Sequence, residues 1–229
     1  MKLVTSQRSP NFNDRPISVD FVVLHYTAGS LARTLELFMD PAREVSAHLV
    51  VDLDGTVHEL VPCLEGRALR AWHAGVSRLE ADGVLVEGFN DRAVGIEIVN
   101  LNGNVFPYTE QQYAALSAVM EKLKAHYPAL GRPESVVGHE QVAGFRGKCD
   151  PGLCFDWARF FSMCYPGQPV PRRESIVTPE VVARLKSMLD TAGVKFDPRQ
   201  GSVFLPEGVT DSFFNELSSL SEELLRKKG

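Results

Sequence analysis

The chain has no long apolar run. Its longest, such as Phe21-Val22-Val23-Leu24, cover a few residues, far short of the roughly 20 a membrane-crossing helix needs, so no transmembrane segment is expected. It also lacks an excess of basic charge: 24 Lys and Arg stand against 29 Asp and Glu, for a net charge of −5, and the only basic cluster is Arg226-Lys227-Lys228. Nucleic-acid binding, which depends on neutralising phosphates, is not expected. Cysteine is scarce, with four residues in 229, which excludes a disulfide scaffold. Cys149, Cys154 and Cys164 are close enough in sequence to pair, but a reduced state fits equally well. The opening MKLVTSQRSPNFNDRP has a single lysine and no apolar core behind it, so it does not read as a secretory leader. A cytoplasmic location is the default expectation, with export by another route, or phage-type lysis, left open.

What is present suits a folded domain. Hydrophobic residues make up 44% and charged residues 23%, enough in a chain of this length for one well-buried core and a small appendage. DFVVLHYT, 20 to 27, and AVGIEIVN, 93 to 100, read as buried strands. In the second, Val94, Ile96 and Ile98 fall on one face, and Gly95, Glu97 and Val99 on the other. ARTLELFMD reads as a short helix, and AHLVVDLDGTVHELV as a hairpin turning at Asp54-Gly55. Thr109 and Gln112 form a capping box for a helix carrying Tyr113, Leu116, Val119, Met120 and Leu123 at helical spacing. SVVGH, 135 to 139, reads as a last short strand.

After residue 165 the composition turns to YPGQPVPRRES, which reads as a linker. Thr178-Pro179 then opens a helix with Val181, Val182, Leu185, Met188 and Leu189 on one side, ended by Gly193. A second amphipathic helix spans about 211 to 227, with Phe213, Phe214, Leu217, Leu220 and Leu224. Their apolar stripes must be buried, either on the main domain or by self-association.

The chemistry gathers at strand ends. A catalytic zinc takes three protein ligands and keeps one position open. His25 and His139 each end a strand, and Asp150 follows a loop read as irregular and glycine-rich, VAGFRGKCDPG, making a candidate His, His, Asp set. Glu97 lies on a buried strand, where an unpaired carboxylate costs several kcal/mol, so it needs a partner or a task. Lys148 stands two residues before Asp150. A metal, a carboxylate and a lysine together supply a water source, a base and a cation for an oxyanion.

FVVLHYTAGS, AWHAGVS, NDRAVGIEIVN and VVGH…KCDPGLCFDW, in that order, resemble the zinc-dependent N-acetylmuramoyl-L-alanine amidases of the amidase type 2 group, relatives of phage amidase lysozymes and peptidoglycan recognition proteins. The resemblance covers roughly residues 18 to 165. It implies an α/β fold with a central mixed β-sheet flanked by helices, to which a small C-terminal helical extension is added here. It further implies one Zn²⁺ held by His25, His139 and Asp150, with Glu97 as base and Lys148 as oxyanion stabiliser. Trp72, His73 and, more weakly, Asn90 are implied to bind substrate. The step from His139 to Asp150 is one residue longer than the family's usual loop, and Cys149 is the alternative third ligand. His48 is read as a support of the site, His58 and His126 as surface or helix-end residues without a catalytic part.

The resulting expectation is an amidase domain over 1–165, a linker over 166–177 and a helical extension over 178–229. The expected partner is peptidoglycan or its muropeptide fragments, and the expected reaction is hydrolysis of the amide between N-acetylmuramic acid and L-alanine. A non-catalytic peptidoglycan-binding module, or a zinc hydrolase of another cell-wall amide, are the alternatives. The loop SRLEADGVLVEGF, 77 to 89, is expected to border the cleft.

Overall fold

The computed structural model describes residues 1–81, 83–197 and 202–226. In chain order its strands and helices are β1 (Leu3–Val4), β2 (Phe12–Pro16), β3 (Phe21–Tyr26), α1 (Leu31–Met39), β4 (Leu49–Val51), β5 (Val57–Glu59), β6 (Leu69–Ala71), β7 (Arg78–Ala81), β8 (Val84–Glu87), β9 (Ala93–Ile98), α2 (Glu110–His126), β10 (Val136–Gly138), α3 (His139–Ala143), α4 (Trp157–Cys164), α5 (Pro179–Thr191), β11 (Lys195–Asp197), β12 (Ser202–Phe204) and α6 (Asp211–Arg226).

Six strands form the central sheet in the order β1-β5-β4-β9-β3-β10. β4, β9, β3 and β10 run parallel in that sequence, while β4 and β5 pair antiparallel, so the sheet is mixed, as expected. Its strands are short and β-branched, and β3 is buried along its whole length, as a strand covered on both faces must be. Alternation sends Val22, Leu24, Val94, Ile96 and Ile98 into a core shared with Leu116, Val119, Met120 and Leu123 of α2 and Phe160 and Phe161 of α4. On the opposite face Phe21 and Val23 pack with Phe89, Ala93, Val137 and Val142, while Val50 and Val99 pack with Phe38 of α1. The C-terminal part of that second face is the part left for polar side chains.

Local signals behave as read. Gly55 takes a positive φ of 79° in the β4–β5 turn. Thr109 and Gln112 cap α2 reciprocally. The stretch after His139, read as an irregular loop, is instead helical in its first half: α3 is followed by a 3-10 turn over Gly144–Arg146. Its five-residue length is below what helical periodicity can reveal.

Residues 166–177 contain no regular element, yet they are tied to the sheet edge. Arg173 reaches the Val136 carbonyl, and the Glu140 carboxylate accepts hydrogen bonds from the Ser175 hydroxyl (2.7 Å) and the Ile176 amide (3.2 Å). α5 and α6 follow, joined through β11 and β12; Lys227, at the end of the helix expected over 211 to 227, lies outside the described residues. The apolar stripes of α5 and α6, including Val181, Leu185, Phe214 and Leu217, pack with Phe106 and Cys149 of the preceding domain. All four cysteines are free thiols. Among the described residues no helix is long and apolar enough to cross a membrane.

Candidate metal centre

β3 and β9 pair in parallel with His25 opposite Glu97, so strand alternation points both side chains to the same face. Beyond β3, β10 ends at Gly138, and His139 opens α3 at the sheet edge. The turn Gly147-Lys148-Cys149-Asp150 then returns beneath α3, where the Glu140 amide donates to the Asp150 carbonyl at 3.0 Å.

These paths bring three donor atoms together. Nδ1 of His25 and Nδ1 of His139 lie 3.1 Å apart, and Oδ2 of Asp150 lies 2.8 Å and 3.0 Å from them. A tetrahedral ion with bonds of 2.0–2.1 Å places its ligand atoms about 3.3 Å apart, close to this triangle. His25 and His139 are nearly closed to solvent (2% and 5% exposed).

Hydrogen bonding behind the triangle fixes which nitrogens carry protons. Nε2 of His73 faces the Ala93 carbonyl at 3.2 Å and must donate, so in the neutral ring Nδ1 is an acceptor. That Nδ1 stands 3.1 Å from Nε2 of His25, which therefore carries the proton and leaves Nδ1 of His25 as a lone pair. Nε2 of His139 faces the Ala74 carbonyl at 3.3 Å, with the same result for its Nδ1. Burial supports the neutral forms: it pushes His25 down to about 4, with His139 adding to the effect, and takes His73 well below its ordinary value. For Asp150, burial acts to raise the pKa, but its closeness to the His139 and His25 imidazoles outweighs this and keeps the carboxyl well below the usual range. Two lone pairs and a carboxylate oxygen thus converge with no proton between them, an arrangement that suits a divalent cation.

Glu97 is half-buried, and its Oε2 is enclosed without a hydrogen-bond partner in the structure. Burial, then the Asp150 charge, raises its pKa to about 8, against the pull of Lys148. Lys148 itself donates to Oε1 of Glu222 on α6 at 2.6 Å.

The residues expected to bind substrate fall in different places. Trp72 is half-buried and its Nε1 donates to Oδ1 of Asn13 at 2.8 Å. His73 is buried behind His25, not on an open wall, with both ring nitrogens engaged. Asn90 is buried too, its Oδ1 accepting from the amides of His73 (3.0 Å) and Ala74 (2.7 Å). The sequence offered one signal for the His73 arrangement, Gly95: a Cβ there would meet the His73 ring at 2.4 Å. His48 supports this layer as expected, with Nδ1 accepting from the Gly95 amide at 3.0 Å and Nε2 donating to the Leu69 carbonyl at 2.8 Å.

Cys149 turns away from the triangle. Its Sγ lies near Nδ2 of Asn104 (3.5 Å) and the Tyr26 hydroxyl (3.9 Å), and burial raises the thiol to about 12.

Fold and site together define an α/β protein with a buried two-histidine, one-carboxylate metal-binding candidate beside a perturbed glutamate. Residues 13–153 match the family model described as N-acetylmuramoyl-L-alanine amidase, and the chain belongs to that family. It is 40% identical over 119 residues to the 1,6-anhydro-N-acetylmuramyl-L-alanine amidase AmpD of Enterobacter cloacae, a match covering 52% of this chain and 57% of the relative; the chain thus spans just over half the length of that curated relative. Among solved structures, an AmpD derivative superposes with a TM-score of 0.55 at 32% identity, covering 71% of this chain and 93% of the other. AmpDh3 of Pseudomonas aeruginosa, in complex with anhydromuramic pentapeptide, gives a TM-score of 0.54 at 25% identity over 95% of this chain and 87% of the other.

Proposed function

We propose that this protein hydrolyses the amide between the lactyl group of N-acetylmuramic acid and L-alanine, in peptidoglycan or its muropeptide fragments, and that the ion it uses is Zn²⁺ held by His25, His139 and Asp150. The observation that carries the reading is the convergence of those three donor groups, with a half-buried carboxylate on the neighbouring strand, in a chain of this family. An imidazole, imidazole and carboxylate set suits zinc, which in such a site supplies Lewis acidity and lowers the pKa of water.

The other steps fall to the chain's own groups. Glu97 takes a proton from the attacking water as the C–O bond forms, and returns it to the alanine nitrogen as the C–N bond breaks. Lys148 supplies positive charge to the oxyanion that develops on the carbonyl oxygen. Trp72 is assigned to the substrate side, while His73 and Asn90 act by positioning: His73 orients His25, and Asn90 holds the backbone at His73 and Ala74. The C-terminal helices α5 and α6 are assigned to the same folded unit as the amidase domain, because they share a core with Phe106 and Cys149.

The test is incubation of zinc-loaded protein with muropeptides and mass spectrometry of the products. Free stem peptide beginning at L-alanine is expected. Acetate release, or tight binding of intact substrate without turnover, would replace this reading with another hydrolase or a binding module.

A further inference from the structure

Helix α6 lies beyond the family match, which ends at residue 153, yet it touches both segments that carry the candidate metal ligands. On the His25 side, Ser218 Oγ lies 3.3 Å from the Tyr26 hydroxyl, and the Asp211 carboxylate accepts from the amide and the hydroxyl of Ser30, each at 2.8 Å. On the Asp150 side the approach is closer. Gly147 has a φ of 86°, and a Cβ there would stand 2.3 Å from the Glu222 carbonyl. Only glycine lets the turn before Asp150 come so near the helix backbone. One residue later, Nζ of Lys148 donates to Oε1 of Glu222 at 2.6 Å, with both side chains about three-quarters enclosed (26% and 22% exposed).

A lysine ammonium sits on four rotatable bonds and is hard to hold at one point. A partly enclosed, charge-assisted hydrogen bond restricts it far more than solvent would. We propose that Glu222 is a positioning residue for the amide hydrolysis: through Lys148 it fixes the positive charge that meets the oxyanion, making the C-terminal helix a working part of the site. This rests on the hydrolytic reading given above. The pair acts as a brace: the contribution of the Glu222 carboxylate passes through the lysine it holds.

The test is a double-mutant cycle on the zinc-loaded full chain with a muropeptide substrate. Glu222→Gln should lower kcat about tenfold and leave KM within about twofold, since the group acts on the transition state and not on binding. Zinc affinity should stay unchanged. Glu222→Asp, which keeps the charge on a shorter stem, should recover part of the loss. In a Lys148→Ala background Glu222→Gln should cost nothing further, because the group it acts through is gone. Ser218→Ala, which loosens the same helix at Tyr26, should leave kcat within about twofold. The assignment is overturned if Glu222→Gln leaves kcat unchanged or raises it, if its loss adds in full to that of Lys148→Ala, or if Ser218→Ala costs as much. A wild type that releases no stem peptide would remove the hydrolytic reading and this role with it, whereas an active wild type with an indifferent Glu222→Gln would remove only the role.

Discussion

Nε2 of His25 and Nδ1 of His73 lie 3.1 Å apart, and His73 is anchored in turn on the Ala93 carbonyl. This chain, from a backbone acceptor through one imidazole to another, keeps the lone pair of His25 facing Asp150. Replacing His73 by Phe should retain the packing and remove the acceptor. Zinc affinity should fall about 10–100-fold, the usual effect of removing such an outer partner, as read by competition with a chromogenic chelator. Nitrogen-15 spectra of metal-free protein should show His25 losing its single tautomer. Unchanged affinity together with an unchanged tautomer would mean that His73 only fills space.

Asp150→Ala should strip zinc from the purified protein and abolish stem-peptide release, because two imidazoles alone leave the site short of a ligand and of its negative charge. Cys149→Ser should keep zinc, since its Sγ faces Asn104 and Tyr26. Metal analysis of both variants decides between Asp150 and Cys149 as third ligand.

Glu97→Gln should retain zinc and slow turnover about 10²-fold or more. A base works only when ionised, so activity should fall as the pH drops through the Glu97 pKa. In the metal-free protein burial and the Asp150 charge, against the pull of Lys148, set that value near 8, and a divalent cation held by His25, His139 and Asp150 would pull it lower. The kcat/KM profile should therefore show an acid limb with a midpoint below 8. A limb that persists unchanged in Glu97→Gln would assign it to another group.

His48 should make the fold acid-sensitive. Burial lowers its pKa from 6.5 to about 4, so between those values the unfolded chain binds a proton that the native protein refuses, and stability falls as the pH is lowered through the window. The contribution is up to about 3 kcal/mol. Glu97 and Glu140, raised by burial to about 8 and about 7, slope the opposite way as the pH rises above the ordinary carboxylate range. Comparing His48→Gln with wild type isolates the histidine. Urea unfolding of chelator-treated protein at pH 6.5 and 4.5 should show wild type losing more stability than the variant.

Phe214 is fully buried against Phe106 and Phe213. Phe214→Ala should cost about 3–5 kcal/mol, and the helices and the amidase domain should unfold in one transition. Two separate calorimetric transitions would instead make residues 178–229 an independent module.

Much of this protein could be read in its residues, for local reasons. The alternation of AVGIEIVN put Glu97 and Ile98 on opposite faces, and Thr109 with Gln112 marked the start of α2, because period and capping are properties of neighbours in sequence. The types and order of His25, Glu97, His139, Lys148 and Asp150 likewise pointed to a hydrolytic metal site and to the family. Spatial relations decided the rest. That β3 and β9 stand in register with His25 opposite Glu97, that His73 lies behind His25 and not in an open cleft, and that Cys149 faces the helical core are results of which surfaces meet, and no local pattern encodes them. The C-terminal helices show the division best. Their apolar stripes required burial somewhere, but only packing against Phe106 and Cys149 brought Glu222 to Lys148, across 74 residues of chain.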